Sequence, residues 1–135
     1  MTMTTPTDRE AIRSLLIRFA WDADTGTRDD LAGYFTDTST WLLGDQTWTG
    51  TTEIVSGLIG LRDAGHAGPG SGTRHLMSDI DMADEIINGH VSVRSIFVLT
   101  STGERPSLIA VGTYHDRIIR TGTGWRIGDR QVVSL

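Results

Sequence analysis

The sequence predicts an α+β domain in which three N-terminal helices pack on one curved, mostly antiparallel sheet. Three observations carry that reading. Apolar residues recur at helical spacing between about residues 8 and 24 and again within 51–65. From residue 73 onward the pattern changes to period two and keeps it through four segments. The only linker-like stretch between the halves, "HAGPGSG" at 66–72, is too short to separate domains. At 135 residues the chain suits one domain with a real core, so 1–135 is read as a single unit with residues 1–7 as a flexible tail.

The elements run in order. Thr7 with Glu10 three residues on has the pattern of a capping box opening helix 1, and Ile12, Leu15, Leu16, Phe19, Ala20 and Ala23 supply its apolar face. Gly26 ends it. Thr27 with Asp30 repeats the box, and "RDDLAGYF" is a short second helix that delivers Leu31, Tyr34 and Phe35 to the core. "TSTWLLG" and "QTWTG" read as two strands about a turn at Gly44-Asp45. "TTEIVSGLIGLRDAG" is helix 3, with Ile54, Leu58 and Leu61 on one face. "TRHLMSDIDMAD", "HVSVRSIFVLTS", "SLIAVGTYHDRIIR" and "GWRIGDRQVVSL" are four long strands, separated by turns at Asn88-Gly89, Gly103 to Pro106 and "TGTG".

Composition narrows the chemistry. Apolar residues make up 38% and charged residues 21%, and no apolar run approaches the roughly 18–20 residues a membrane helix needs. The start "MTMTTPTDRE" is neither basic nor apolar, so a cytoplasmic protein without a signal peptide is expected. The absence of cysteine excludes disulfides, thiol catalysis and Cys-ligated metals. A net charge of −5 argues against a nucleic-acid surface, and no membrane partner is expected. All twelve basic residues are arginine, which excludes lysine Schiff-base chemistry and a Walker-type phosphate loop. "GPGSG" precedes a strand and does not join a strand to a helix, so Ser71 has no nucleophile elbow to expose it. No two histidines have metal-site spacing, and no metal or other cofactor is expected.

Candidate reactive groups are few. "DADTGTRDD" holds four aspartates. Asp29 and Asp30 suit the first turn of helix 2, where carboxylates meet the helix dipole. Asp22 follows Arg18 by four residues and can pair with it on an exposed edge. Asp24 lacks such an explanation: its carboxylate either closes an Asx turn at the helix end or leans over Ala20 and Ile17 for another purpose. Of the histidines, His66 lies in the glycine-rich loop, His90 at a strand edge, and His115 beside Asp116. His75 sits early in the first long strand, on the face of Met77 and opposite Leu76, Ile80 and Met82. It is either a half-buried core histidine or a proton-transfer group.

The pattern Asp-x-Gly-x-x-x-x-Leu-x-x-x-Phe from Asp24, Thr-x-His at 73–75, Gly-x-Tyr-x-Asp at 112–116 and Gly-Trp-Arg-Ile-x-x-Arg at 124–130 resembles the SnoaL-like branch of the nuclear transport factor two superfamily. The resemblance spans about residues 8 to 133. It implies a cone-shaped α+β barrel, a strongly curved sheet wrapped around a helix and enclosing a pocket. In scytalone dehydratase, bile-acid dehydratase and hexachlorocyclohexane dehydrochlorinase, an aspartate at the end of helix 1 bonds a strand histidine. The matching residues here are Asp24 and His75.

The resemblance therefore implies a cofactor-independent lyase or isomerase working through an Asp24–His75 dyad, with Arg130 or Tyr114 stabilising developing negative charge. Arg130 could equally be an exposed strand arginine beside Arg126. Phe19, Trp41, Trp48, Met77, Ser95 and Phe97 would line the pocket with Tyr114, suiting a small alicyclic, aromatic or polyketide-like substrate. Two positions depart from these relatives. Ser95 stands where they carry an acid or a histidine, and Phe19 where they carry a tyrosine or a cation. The other class the resemblance admits is a noncatalytic small-molecule-binding or assembly subunit. Apolar residues on one face of the meander exceed what three helices cover, which with the resemblance implies a homodimer or homotrimer through the sheet.

Overall fold

The computed structural model describes residues 1–135. In chain order the elements are β1 (Thr2–Met3), α1 (Pro6–Thr25), α2 (Arg28–Ala32), β2 (Thr40–Leu43), β3 (Gln46–Thr49), α3 (Gly50–Asp63), β4 (Thr73–Met82), β5 (Glu85–Ile86), β6 (His90–Ser101), β7 (Leu108–Thr121) and β8 (Gly124–Ser134). No helix is long and apolar enough to cross a membrane.

Helix α1 starts earlier than the Thr7–Glu10 spacing predicts. Thr5 is the N-cap: its hydroxyl accepts from the Asp8 N–H at 3.0 Å while Asp8 accepts from the Thr5 N–H at 3.0 Å. Pro6 favours this start, because its fixed φ and missing N–H fit the first helical position. Residues 1–7, expected as a tail, therefore include a helix start and β1, which pairs antiparallel with β5. The Thr27–Asp30 box opens α2 as predicted.

Six strands form one sheet in the order β3-β2-β8-β7-β6-β4. All neighbours are antiparallel except β2 and β8, where Trp41 sits opposite Arg130. The sheet is open, with β3 and β4 at its two edges, and is not the closed cone-shaped barrel implied by the resemblance. The helices cover one face, and Ile12, Leu16, Phe19, Leu31, Ile54, Val91, Ile118 and Ile127 form the dry centre. Asn88 and Gly89 both have positive φ (52° and 76°), as a tight two-residue hairpin between β5 and β6 requires.

One irregularity matters for the site. Strict alternation puts Met77 on one face of β4 and Ile80 and Met82 on the other, yet all three pack toward the core. The register of β4 on β6 shifts between Ser78 and Asp81, and Asp79 has a φ of 52°. This β-bulge sets two residues against Ser95 and reverses the facing of the residues beyond it. His75 and Met77 lie before it and Ile80 and Met82 after it, so all can face inward, while Leu76 stays exposed.

Candidate active site

Asp24 ends in the core because α1's last turn lies over β4. It is 1% exposed, and His75 satisfies both of its oxygens. Oδ2 accepts from the His75 backbone N–H at 2.8 Å, and Oδ1 lies 2.8 Å from Nδ1 of the imidazole. A carboxylate only accepts hydrogen bonds, so this geometry assigns the proton of the neutral ring to Nδ1 and leaves the lone pair on Nε2. His75 keeps 18% of its side chain accessible.

On one side of His75 lies a cavity of about 230 Å³ between the helices and the sheet. Phe19, Leu31, Trp41, Phe97 and Tyr114, all nearly inaccessible, form its deep end. Its mouth is marked by the exposed residues His66, on the glycine-rich loop, and Ser134, at the end of β8. Phe97 and Tyr114 stack with ring centroids 4.5 Å apart. Gly112, opposite Phe97 on β7, makes this possible: a Cβ there would come within 2.5 Å of the Phe97 ring. On the other side, Asp24, Met77 and His75 border an outer groove with the exposed Ile17, Trp21 and Leu76.

Beneath the cavity is a buried ion pair. Arg130, 1% exposed, donates from Nε and Nη2 to the two Asp116 oxygens at 2.8 and 2.9 Å. These residues face each other on β7 and β8. The Arg130 guanidinium carbon lies 3.7 Å from the centroid of the Tyr114 ring. Burial works against the charge on Arg130, but the charge and hydrogen bonds of Asp116 outweigh it and hold its pKa above the ordinary value. Burial pushes the Tyr114 phenol up to about 12; Arg130 opposes this, and the Asp116 and Asp24 carboxylates reinforce it. The phenol therefore keeps its proton at neutral pH.

The predicted residues thus separate into groups. Asp24 and His75 meet, and Phe19, Trp41, Phe97 and Tyr114 line the cavity with His75. Arg130 is neither exposed nor part of the cavity wall: Asp116 pairs with it, and the rings of Phe19, Trp41 and Tyr114 surround its guanidinium. Trp48 is outside the cavity: it packs over Gly57 of α3, where a Cβ would come within 2.4 Å of its ring. Met77 packs on the core and borders the outer groove but not the cavity, and Ser95 is buried and lines neither, with an unpartnered hydroxyl. Asp22 accepts from the Tyr34 hydroxyl at 2.5 Å and does not pair with Arg18, because α2 brings the phenol over the end of α1.

Sequence reasoning missed Leu99, Val132 and Arg62 as cavity residues. The first two were detectable by alternation, two positions after Phe97 and Arg130. Arg62 carried no such signal, since its place depends on how α3 crosses the end of α1.

The SnoaL-like domain model matches residues 4–131. The chain belongs to this family. None of the curated proteins matches the sequence of this SnoaL-like protein. Among solved structures, a cystatin-like-fold protein of unknown function from Nostoc punctiforme superposes with a TM-score of 0.85 at 18% identity, covering 100% of this chain and 96% of its own. An NTF2-like protein from Novosphingobium aromaticivorans gives 0.82 at 23% identity, covering 96% and 82%. A candidate scytalone dehydratase from the same organism gives 0.74 at 21% identity, covering 96% and 85%. At such identities the likeness establishes the shared fold.

Proposed function

We propose that this SnoaL-like protein is a cofactor-independent lyase or isomerase that uses His75 as general base and then general acid on a small hydrophobic alicyclic, aromatic or polyketide-like substrate. One observation carries the reading: the Asp24 carboxylate holds Nδ1, while the remaining ring nitrogen belongs to a side chain on the wall of an apolar cavity. A base that removes a proton beside a leaving group needs a fixed tautomer, a free lone pair and a dry place for the substrate. Asp24 orients the ring and stabilises the imidazolium formed on proton transfer.

Tyr114 is the second group in the cavity wall. Its phenol stays protonated and can donate to an oxygen gaining negative charge. Arg130 acts through Tyr114, placing positive charge beneath the ring without touching substrate. The aromatic pair Phe97–Tyr114 with Phe19 and Trp41 favours a flat or cyclic body.

The proposal is tested by identifying what copurifies in the cavity by mass spectrometry and assaying that compound and its analogues with wild type and His75→Ala. Turnover that disappears in a folded His75→Ala protein supports it. Undiminished turnover in the variant overturns His75 as the base, and no turnover by wild type favours a noncatalytic binding or assembly subunit.

The assembly reading is a homodimer or homotrimer through the outer sheet face. Leu76, Val98 and Val111 fall in one row across β4, β6 and β7, continued by Leu135 just past the end of β8, supporting an apolar contact there. Sedimentation should show a multimer that Val98→Glu dissociates.

A further inference from the structure

We infer that Arg62 is a positioning residue for the Asp24–His75 dyad. The inference rests on the function proposed for this site and concerns how its base is held. The last carbonyls of a helix have no partner within it. Here, Arg62 reaches across from α3, donating from Nη1 to the Gly26 carbonyl at 2.7 Å and from Nη2 to those of Asp22 and Ala23 at 2.8 and 2.9 Å. Asp24 sits among these three clamped peptides. Its carboxylate direction, and through it the imidazole tautomer, therefore depends on a guanidinium from another helix.

Two further observations show that Arg62 is held for this role. It forms no ion pair with a carboxylate, so its charge is directed at the negative end of the α1 dipole. Its stem passes against Gly68, which has a φ of +93° and where a Cβ would come within 2.4 Å of the Arg62 Cγ. One glycine of "HAGPGSG" thus leaves the space through which the clamp reaches α1. The guanidinium also suits the geometry: two nitrogens of one planar fork bond three carbonyls at once, an arrangement that the single nitrogen of an ammonium group does not match.

The test uses nitrogen NMR of histidine-labelled protein at a pH where the rings are neutral, comparing wild type, Arg62→Ala, Arg62→Lys and Asp24→Asn. Wild type should hold His75 in the Nδ1–H form. Arg62→Ala should release a substantial Nε2–H population and lower turnover by up to about 100-fold, with Arg62→Lys recovering some of both. Thr27→Ala, which removes only the α2 cap, should leave the His75 signals in place. A folded Arg62→Ala protein with the wild-type tautomer overturns the inference. If Arg62→Ala does not fold, Arg62→Lys decides: a tautomer and turnover equal to wild type overturn it, and a partial loss of both upholds it. Asp24→Asn separates the two levels, since an unchanged His75 tautomer there defeats the dyad itself, whereas a change there but none at Arg62 defeats only the clamp.

Discussion

Two carboxylates are buried almost equally in this protein, Asp24 at 1% and Asp116 at 3% exposure, and each makes two hydrogen bonds to one basic residue: Asp116 to the Arg130 side chain through both, Asp24 to the His75 imidazole through one and its backbone N–H through the other. Their surroundings set them apart. Asp116 and Arg130 face each other on adjacent strands, both nearly inaccessible, with aromatic rings around the guanidinium. Asp24 and His75 join a helix end to an edge strand, and the imidazole borders open space on two sides. Burial and pairing alone therefore do not mark a reactive site. Under the proposed function, what sets the reactive pair apart is a ring nitrogen left unpaired on a residue that borders a cavity.

Breaking the closed pair should have the largest effect on folding. Asp116→Ala leaves the Arg130 charge buried without a partner, and loss of about 3–5 kcal/mol of unfolding free energy is expected in denaturant titrations. The same experiment on His75→Ala should show a smaller loss, because the Asp24 carboxylate left behind keeps the backbone N–H of residue 75 and the imidazole removed is partly accessible. Its cost should fall on turnover, by roughly 10²–10⁴-fold. If instead His75→Ala unfolds the protein and Asp116→Ala only slows it, the roles of the two pairs are exchanged.

Tyr114 lies between the pairs and sharpens the contrast through pH. An unfolded chain ionises its phenol near the ordinary value of 10.0, whereas the folded protein holds the proton to about 12. The unfolded state therefore loses the proton first. Stability contributed by Tyr114 is fully present below pH 10 and falls as pH rises toward 12. Phenolate absorbance should remain low through pH 10 and rise with unfolding. Native-state ionisation of Tyr114 near its ordinary value would mean that the phenol is wet.

The contrast between the pairs was only half legible in the sequence. Asp24 and His75 stood out because a helix end and a strand start carry recognisable spacing, and the family pattern joined them across fifty-one positions. Four long strands and three helices were legible for the same reason, as period and turn chemistry are local. Arg130 was harder to place, because alternation gives a side chain a face but not a partner; Asp116 decided its fate. The β4 bulge was invisible, since an extra residue at Asp79 looks like any other position until its register on β6 is known. Arg62 was unreadable for a related reason: three main-chain carbonyls leave no trace in residue identity.

Ser95 makes the smallest prediction and the finest test of the division. It lies opposite Tyr114 on β6, is 2% exposed, and its hydroxyl has no hydrogen-bond partner. An unpaired buried hydroxyl costs free energy that a methyl group of similar size does not. Ser95→Ala should therefore leave stability unchanged or raise it by about 1 kcal/mol in denaturant titrations, with turnover unaffected. The sequence pattern placed Ser95 where relatives carry an acid or a histidine, so the opposite result has a definite meaning. A large loss of turnover with the fold intact would bring this hydroxyl into the reaction and extend the reactive region from His75 past Tyr114 toward the Asp116–Arg130 pair. That pair would then belong to the reactive region directly and not only through Tyr114.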